Sequence, residues 1–186
     1  LLDEGALAGV DAVVHLAGEP IAQRWSSRVK ERILKSRVEG TRLLVDAILN
    51  AEQAPIYVAA SGINYYGGVR QDVVSEDSEP GAGFLADVCR AWEGAAEPLA
   101  EQGIPSVFLR TGIVLSPAGG ALAKMLPAFR AGLGGPIASG RQRMSWVALD
   151  DLVEMFLRAV EDPQYRGAIN AVAPEPVENR VFSRVL

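Results

Sequence analysis

With 186 residues, 49% of them apolar, the chain is long enough to bury one good core, and a single domain is the default expectation. A net charge of −5, with no run of Lys and Arg longer than a local pair, argues against a nucleic-acid groove. Cys89 and His15 are the only cysteine and the only histidine, which excludes an internal disulfide, a cysteine-rich metal site and a zinc site with several His ligands.

Asp11 to Ala17 is a continuous apolar run closed by Gly18, the pattern of a strand buried on both faces. From Ser27 to Asn50, Val29, Ile33, Arg37, Thr41, Leu44 and Ile48 recur every three or four residues, which predicts a helix with one buried stripe. Ile56 to Ala60 is a second buried strand. A loop rich in Gly, Asp, Glu and Pro covers 67 to 82, and a helix carrying Phe84, Val88, Trp92, Ala95 and Leu99 follows, ended or kinked at Pro98. Ser106 to Arg110 is a third strand. Ala121 to Ala131 reads as a helix interrupted at Pro127, Met144 to Ala148 as a short strand, Asp150 as the cap of a helix with Leu152, Phe156 and Val160, and Ala168 to Val172 as a last strand. The chain opens on Leu1 rather than Met, and Asn179 to Leu186 looks like a helix cut short; both ends look trimmed.

Strands alternating with helices imply an α/β fold with a parallel sheet covered on both faces. No stretch approaches the ~18 apolar residues of a membrane span, and no secretory signal opens the chain, so a cytoplasmic protein without membrane association is expected. In parallel sheets ligands sit outside the carboxyl ends of the strands, which selects the loops 18–25, 61–68 and 111–120.

In the first loop Ala17 and Gly18 permit close approach of a ring or sugar, Glu19 accepts from hydroxyls, and Arg24 suits a phosphate or carboxylate. A tight strand exit with two solvated charges is the alternative. In the second, Ser61 offers a hydroxyl at the sheet edge, while Tyr65 and Tyr66 either contact a ligand or cover the sheet end. His15, inside its strand, reads as a satisfied core imidazole, so no Ser-His-Asp arrangement is available. The string Gly132-Leu-Gly-Gly-Pro136 follows a helix rather than a strand and reads as a turn. The carboxylate pairs Glu76-Asp77 and Asp150-Asp151 read as solvated or capping.

Several motifs fall in one order: His15-Leu-Ala-Gly-Glu-Pro20, Lys35-Ser-Arg-Val-Glu-Gly-Thr41, Tyr65-Tyr-Gly67, Glu76-Asp-Ser78, Trp92-Glu93, Arg110-Thr-Gly-Ile-Val-Leu115, Ser145-Trp-Val147 and Asp150-Asp-Leu152. Together they resemble the YfcH-like epimerase proteins, in the atypical branch of the extended short-chain dehydrogenase/reductase superfamily. That resemblance implies a Rossmann-like doubly wound parallel sheet, here lacking its first strand and glycine-rich turn, as an internal fragment would. It makes 1–186 a single truncated domain, with substrate-region segments around 116–145 and 170–186. It implies NADP, or NAD, as cofactor and a small-molecule substrate. By positional matching Ala17, Gly18, Glu19, Arg24, Ser61, Arg110, Thr111, Gly112 and Val114 line the cofactor, and Ser61, Tyr65 and Tyr66 are the candidate catalytic groups. The superfamily's catalytic serine falls at Ser61 or one position later, at Gly62. Arg37 stands where the superfamily often has an asparagine. The superfamily's Tyr-x-x-x-Lys pair is replaced by Phe84 and Val88, neither of which exchanges a proton, so a catalytically silent cofactor-binding module is the alternative to an enzyme.

Overall fold

The computed structural model describes residues 5–68, 70 and 72–186. The chain runs through β1 (Ala12–His15), α1 (Ser27–Leu49), β2 (Ile56–Gly62), a 3-10 turn (Ile63–Tyr66), α2 (Phe84–Gly94), α3 (Glu97–Glu101), β3 (Ser106–Thr111) and β4 (Ile113–Ser116). It continues through α4 (Gly120–Arg130), β5 (Arg143–Met144), β6 (Trp146–Ala148), α5 (Leu149–Glu161), β7 (Gly167–Ala171), β8 (Val177–Glu178) and α6 (Asn179–Val185). The main sheet has the order β1-β2-β3-β7, all parallel, so successive strands are added outward from β1. The α/β class with a parallel sheet is as the alternation of patterns requires.

Side-chain alternation along the strands divides the core into two layers. Val58, Val107 and Leu109 point to one face, where they pack with Leu152 and Ala159 of α5 and with Met155, Phe156 and Val160. Tyr57 and Ala59 point to the other, against Val45 and Ile48 of α1, Ala96 and Leu99. Helix α1 forms because its apolar residues keep one stripe over 23 residues, and Ser26 caps it by accepting from the Val29 N–H. No helix among the described residues is long and apolar enough to cross a membrane.

The boundaries differ from expectation in instructive ways. Strand β2 extends two residues further, through Ser61 and Gly62, because β3 offers Arg110 and Thr111 as partners there. Ile113 to Ser116 is a strand rather than part of a ligand loop; it pairs with β6 in a separate parallel ladder. The expected strand over 144–148 is divided between β5 and β6, and β5 pairs antiparallel with β8. The α2 helix stops at Gly94, ahead of Pro98, which instead enters the first turn of α3, where its missing N–H has no helical partner to lose. Pro127 does not interrupt α4, which runs through it and has no buried residue. Ala148, not Asp150, is the N-cap of α5; Asp150 and Asp151 lie in the first turn, where their charge favours the helix dipole. In the 67–82 loop, residues 69 and 71 lie outside the described residues.

Leu109 is fully buried at the centre of β3, so Leu109→Ala is expected to lower unfolding stability by ~2–5 kcal/mol. Leu133→Ala, at a residue 84% exposed, should change it by no more than ~0.5 kcal/mol. Urea titrations of both variants measure the contrast.

Candidate functional site

Strands β2 and β3 end together, with Gly62 opposite Thr111, while β1 ends earlier, with His15 opposite Ala59. Ser61 lies beside Arg110, and Gly62 beside Thr111, on these two strands, and Tyr65 and Tyr66 follow in the 3-10 turn. At the centre of this group Arg110, 5% exposed at its side chain, is locked onto Glu93 of α2. The Arg110 Nε donates to Glu93 Oε1 at 3.0 Å and Nη2 to Oε2 at 2.7 Å, a bidentate geometry. Nη1 donates to the Tyr66 hydroxyl at 2.8 Å and to the Glu76 carbonyl at 3.1 Å. Ser61 Oγ donates to Glu93 Oε1 at 2.6 Å, and Tyr66 OH to Asn170 Oδ1 at 2.7 Å. The Asn170 N–H in turn donates to the Glu76 carboxylate at 2.8 Å. Burial works against the charge of Arg110, but the Glu93 and Tyr66 hydrogen bonds outweigh it and hold the guanidinium pKa above its ordinary value.

This network corrects several expectations. Ser61 does not stand at the sheet edge: it lies inside β2, 4% exposed, with its hydroxyl directed to Glu93. Tyr66 is equally buried and its hydroxyl is engaged on both sides. Arg110 directs four of its five N–H donors to Glu93, Tyr66 and the Glu76 carbonyl. Thr111 Oγ1 donates to the Ser61 carbonyl. Gly112 is small because the chain crosses it: a Cβ there would lie 2.8 Å from the Ser145 oxygen. Val114 is inside β4, packed against the α5 layer. Glu76, read as a solvated charge, is a tether between the 70–82 segment and β7. Tyr65 is the partly exposed phenol of the group, its ring centroid 3.5 Å from the Arg110 guanidinium carbon.

The β1 exit is organised by α1. Ala17 and Gly18 are exposed. Where a Gly18 side chain would project, the Arg37 guanidinium stands at 3.0–3.2 Å, so that face of the glycine accommodates Arg37 while the other stays open. Arg37 Nη1 donates to the Glu19 and Ile33 carbonyls at 3.0 and 3.1 Å, and its guanidinium lies over Trp92 at 5.0 Å. The Glu19 carboxylate is held by Gln23 and Arg32; these hydrogen bonds, Gln23 first, keep its pKa below the usual range. Arg24 is exposed. His15 is the core imidazole expected, with Nδ1 2.8 Å from Tyr57 OH and Thr41 Oγ1 3.4 Å away. Burial, and then the Arg37 charge, lower its pKa; burial pushes that of Tyr57 up to about 12.

Phe84 meets Trp25 edge-on at 5.3 Å under Lys30, and Val88 is 2% exposed. A cavity of about 450 Å³ lies beyond β6 and β7, between Trp146, Asp151, Met155, Val172 and Pro174. Another, of about 650 Å³, lies at the opposite end of the sheet, between residues 5–10 and the end of α1. Sequence reading did not assign roles to Glu93, Asn170 or the Arg37 contacts. The Trp92-Glu93 motif was the visible signal for the first.

The sequence matches the NAD dependent epimerase/dehydratase family over residues 3–171. It is 44% identical over 182 residues to an epimerase family protein of Mycobacterium bovis, covering 97% of this chain and 60% of that one. The fold matches the crystal structure of a nucleoside-diphosphate sugar epimerase from Corynebacterium glutamicum with a TM-score of 0.89 at 38% identity, over 98% of this chain and 39% of that one. It also matches the human epimerase family protein SDR39U1, crystallised with NADPH, with a TM-score of 0.88 at 38% identity, over 94% of this chain and 60% of that one. The chain thus spans about 60% of the length of the curated mycobacterial relative.

Glu93→Gln leaves the Arg110 charge buried without a counter-ion and is expected to cost ~3–5 kcal/mol in urea unfolding, against ~0.5 kcal/mol or less for Glu101→Gln on the exposed end of α3. His15 generates a pH dependence. The unfolded imidazole takes up a proton near pH 6.5, the folded one only at lower pH. Between those values the unfolded state carries the additional proton, so stability is complete above about pH 6.5 and falls on acidification below it. The urea midpoint should decline more steeply between about pH 7 and pH 5 in the wild type than in His15→Gln; equal slopes would contradict this.

Proposed function

The chain belongs to the NAD dependent epimerase/dehydratase family, and on that premise we propose that it binds NADP, or NAD, along the carboxyl ends of β1, β2 and β3, and acts on a small-molecule substrate. The observation that carries this reading is the NADPH of the human relative, which is 38% identical and matches this fold with a TM-score of 0.88. The exposed Ala17 and Gly18 and the half-buried Glu19 beside them are our choice for contact with the cofactor, with Arg24 for a phosphate, and Thr111 and Gly112 at the nicotinamide end. In this reading Ser61, Tyr66 and Arg110 act through Glu93 as positioning residues, setting the height of the Tyr65 ring above the strand ends.

The nicotinamide, when bound, supplies or accepts the hydride. The proton is assigned to Tyr65, the phenol left to solvent by the Arg110 network. The segments 116–145 and 170–186 shape the substrate end; in support, β5 and β8 tie them together and Asn179 Oδ1 accepts from the Ile137 N–H at 2.7 Å. A lone buried thiol, Cys89, suits a reducing, cytoplasmic setting. A second reading, a dinucleotide-binding module without turnover, is favoured by one observation: Phe84 and Val88 place an aromatic contact and a core methyl pair on the α2 face, and neither side chain can exchange a proton.

A titration following NADPH fluorescence is expected to saturate well below millimolar concentration, and no saturable change would refute binding. With a panel of carbonyl and nucleotide-sugar compounds, Tyr65→Phe should reduce turnover ~10²–10⁴-fold at unaltered NADPH affinity. Binding without turnover in the wild type would select the silent module.

A further inference from the structure

The cleft contains a cation that the protein itself does not neutralise. Both hydrogens of Arg37 Nη1 are used by the Glu19 and Ile33 carbonyls. The Nε and Nη2 hydrogens have no acceptor, and the guanidinium no carboxylate within ion-pair distance, among the described residues. The two nearby acids are committed elsewhere: Glu19 Oε1 receives Arg32 at 2.8 Å, and Glu93 receives Arg110 and Ser61. Burial lowers the Arg37 pKa, offset only in part by Cys89 and Glu19. Another donor without an acceptor lies next to it: the buried Trp92 indole N–H, on the ring beneath Arg37. A half-buried guanidinium with donors left over is a ready partner for an incoming carboxylate or phosphate. Arg37 keeps part of its surface open, and the exposed Ala17 and Gly18 leave it approachable.

We propose that Arg37 is an anion receptor of the cleft, its Nε and Nη2 edge taking two oxygens of a carboxylate or phosphate beside Gly18. A planar fork recognises such a pair of oxygens in bidentate fashion, which a lysine cannot reproduce. Gly18 belongs to the same device, since any side chain there would displace the guanidinium. The proposal rests on the cofactor-cleft reading for its location only. The anion is either a carboxylate of the substrate or a phosphate of the cofactor, and the two sources separate by experiment.

The full chain is titrated with sodium acetate, inorganic phosphate and NADPH at constant ionic strength, following tryptophan emission for the first two and cofactor fluorescence for the third. Wild type is compared with Arg37→Gln, Arg37→Lys and the exposed control Arg166→Gln. Saturable acetate binding beside bound NADPH, weakened at least tenfold in Arg37→Gln with NADPH affinity unchanged, supports the proposal and assigns the anion to the substrate. NADPH binding weakened at least tenfold in Arg37→Gln, with phosphate competing, supports it and assigns the anion to the cofactor. Equal affinities of wild type and Arg37→Gln for every probe overturn it, as does a wild type that binds none of them. Should Arg37→Gln fail to fold by circular dichroism, Arg37→Lys decides: a several-fold loss supports the fork, and wild-type affinity overturns it. Acetate binding that depends on Arg37 while NADPH does not bind at all would leave the receptor standing and remove the cofactor reading.

Discussion

A guanidinium placed on the inner register of a parallel sheet has no water to turn to, so its charge has to be matched by neighbours held in fixed directions. Arg110 sits at such a position, opposite Ser61 in β2 and Asn170 in β7. Glu93 answers from α2, Tyr66 from the 3-10 turn, and the Glu76 carbonyl from the segment between them. Five parts of the chain are thereby referenced to one side chain. Isolated, such a pair contributes little net stability, because desolvation offsets the attraction. Its effect is geometric: α2 can approach the sheet in one register, and the strand ends present one surface.

That surface differs from a generic strand exit in what it leaves free. The hydroxyls closest to the sheet are consumed in supporting Glu93 and Asn170, and the groups with unspent hydrogen-bonding capacity stand further out, on Tyr65 and Arg37. A site organised this way separates rigidity from contact: the inner layer has little exposure and the outer layer little internal bonding. The glycines follow the same division. Gly112 allows β3 to pass under Ser145, and Gly18 allows α1 to send a cation up to the exit of β1.

The amphipathic stripe of α1 and the apolar runs of β1, β2 and β3 were legible because burial on one or both faces leaves a period in the residues themselves. That the carboxyl ends of β1, β2 and β3 face one side was legible too, since parallel strands run in one direction. The pairing of Arg110 with Glu93 was not: a helix residue and a strand residue 17 positions apart share no periodicity, and only the packing of α2 on β2 brings them together. The same holds for Ser61, whose place inside or beyond β2 depends on how far β3 extends beside it. Strand β4 was hidden by brevity, four residues directly after Gly112, with its partner β6 far along the chain. Gly18 was read as a position open to the close approach of a ligand; on one side of it stands the Arg37 guanidinium from α1, which no periodicity announces.

Helix α4 has a different standing from the rest. It buries no residue, and Pro127 removes one backbone donor from its interior. Few apolar contacts and a thinned hydrogen-bond ladder set the free energy of local opening below that of the whole domain. The segment from Gly120 to Arg130 is therefore expected to exchange its amide protons ahead of the main sheet, because it leans chiefly on β4 of the short β4–β6 ladder.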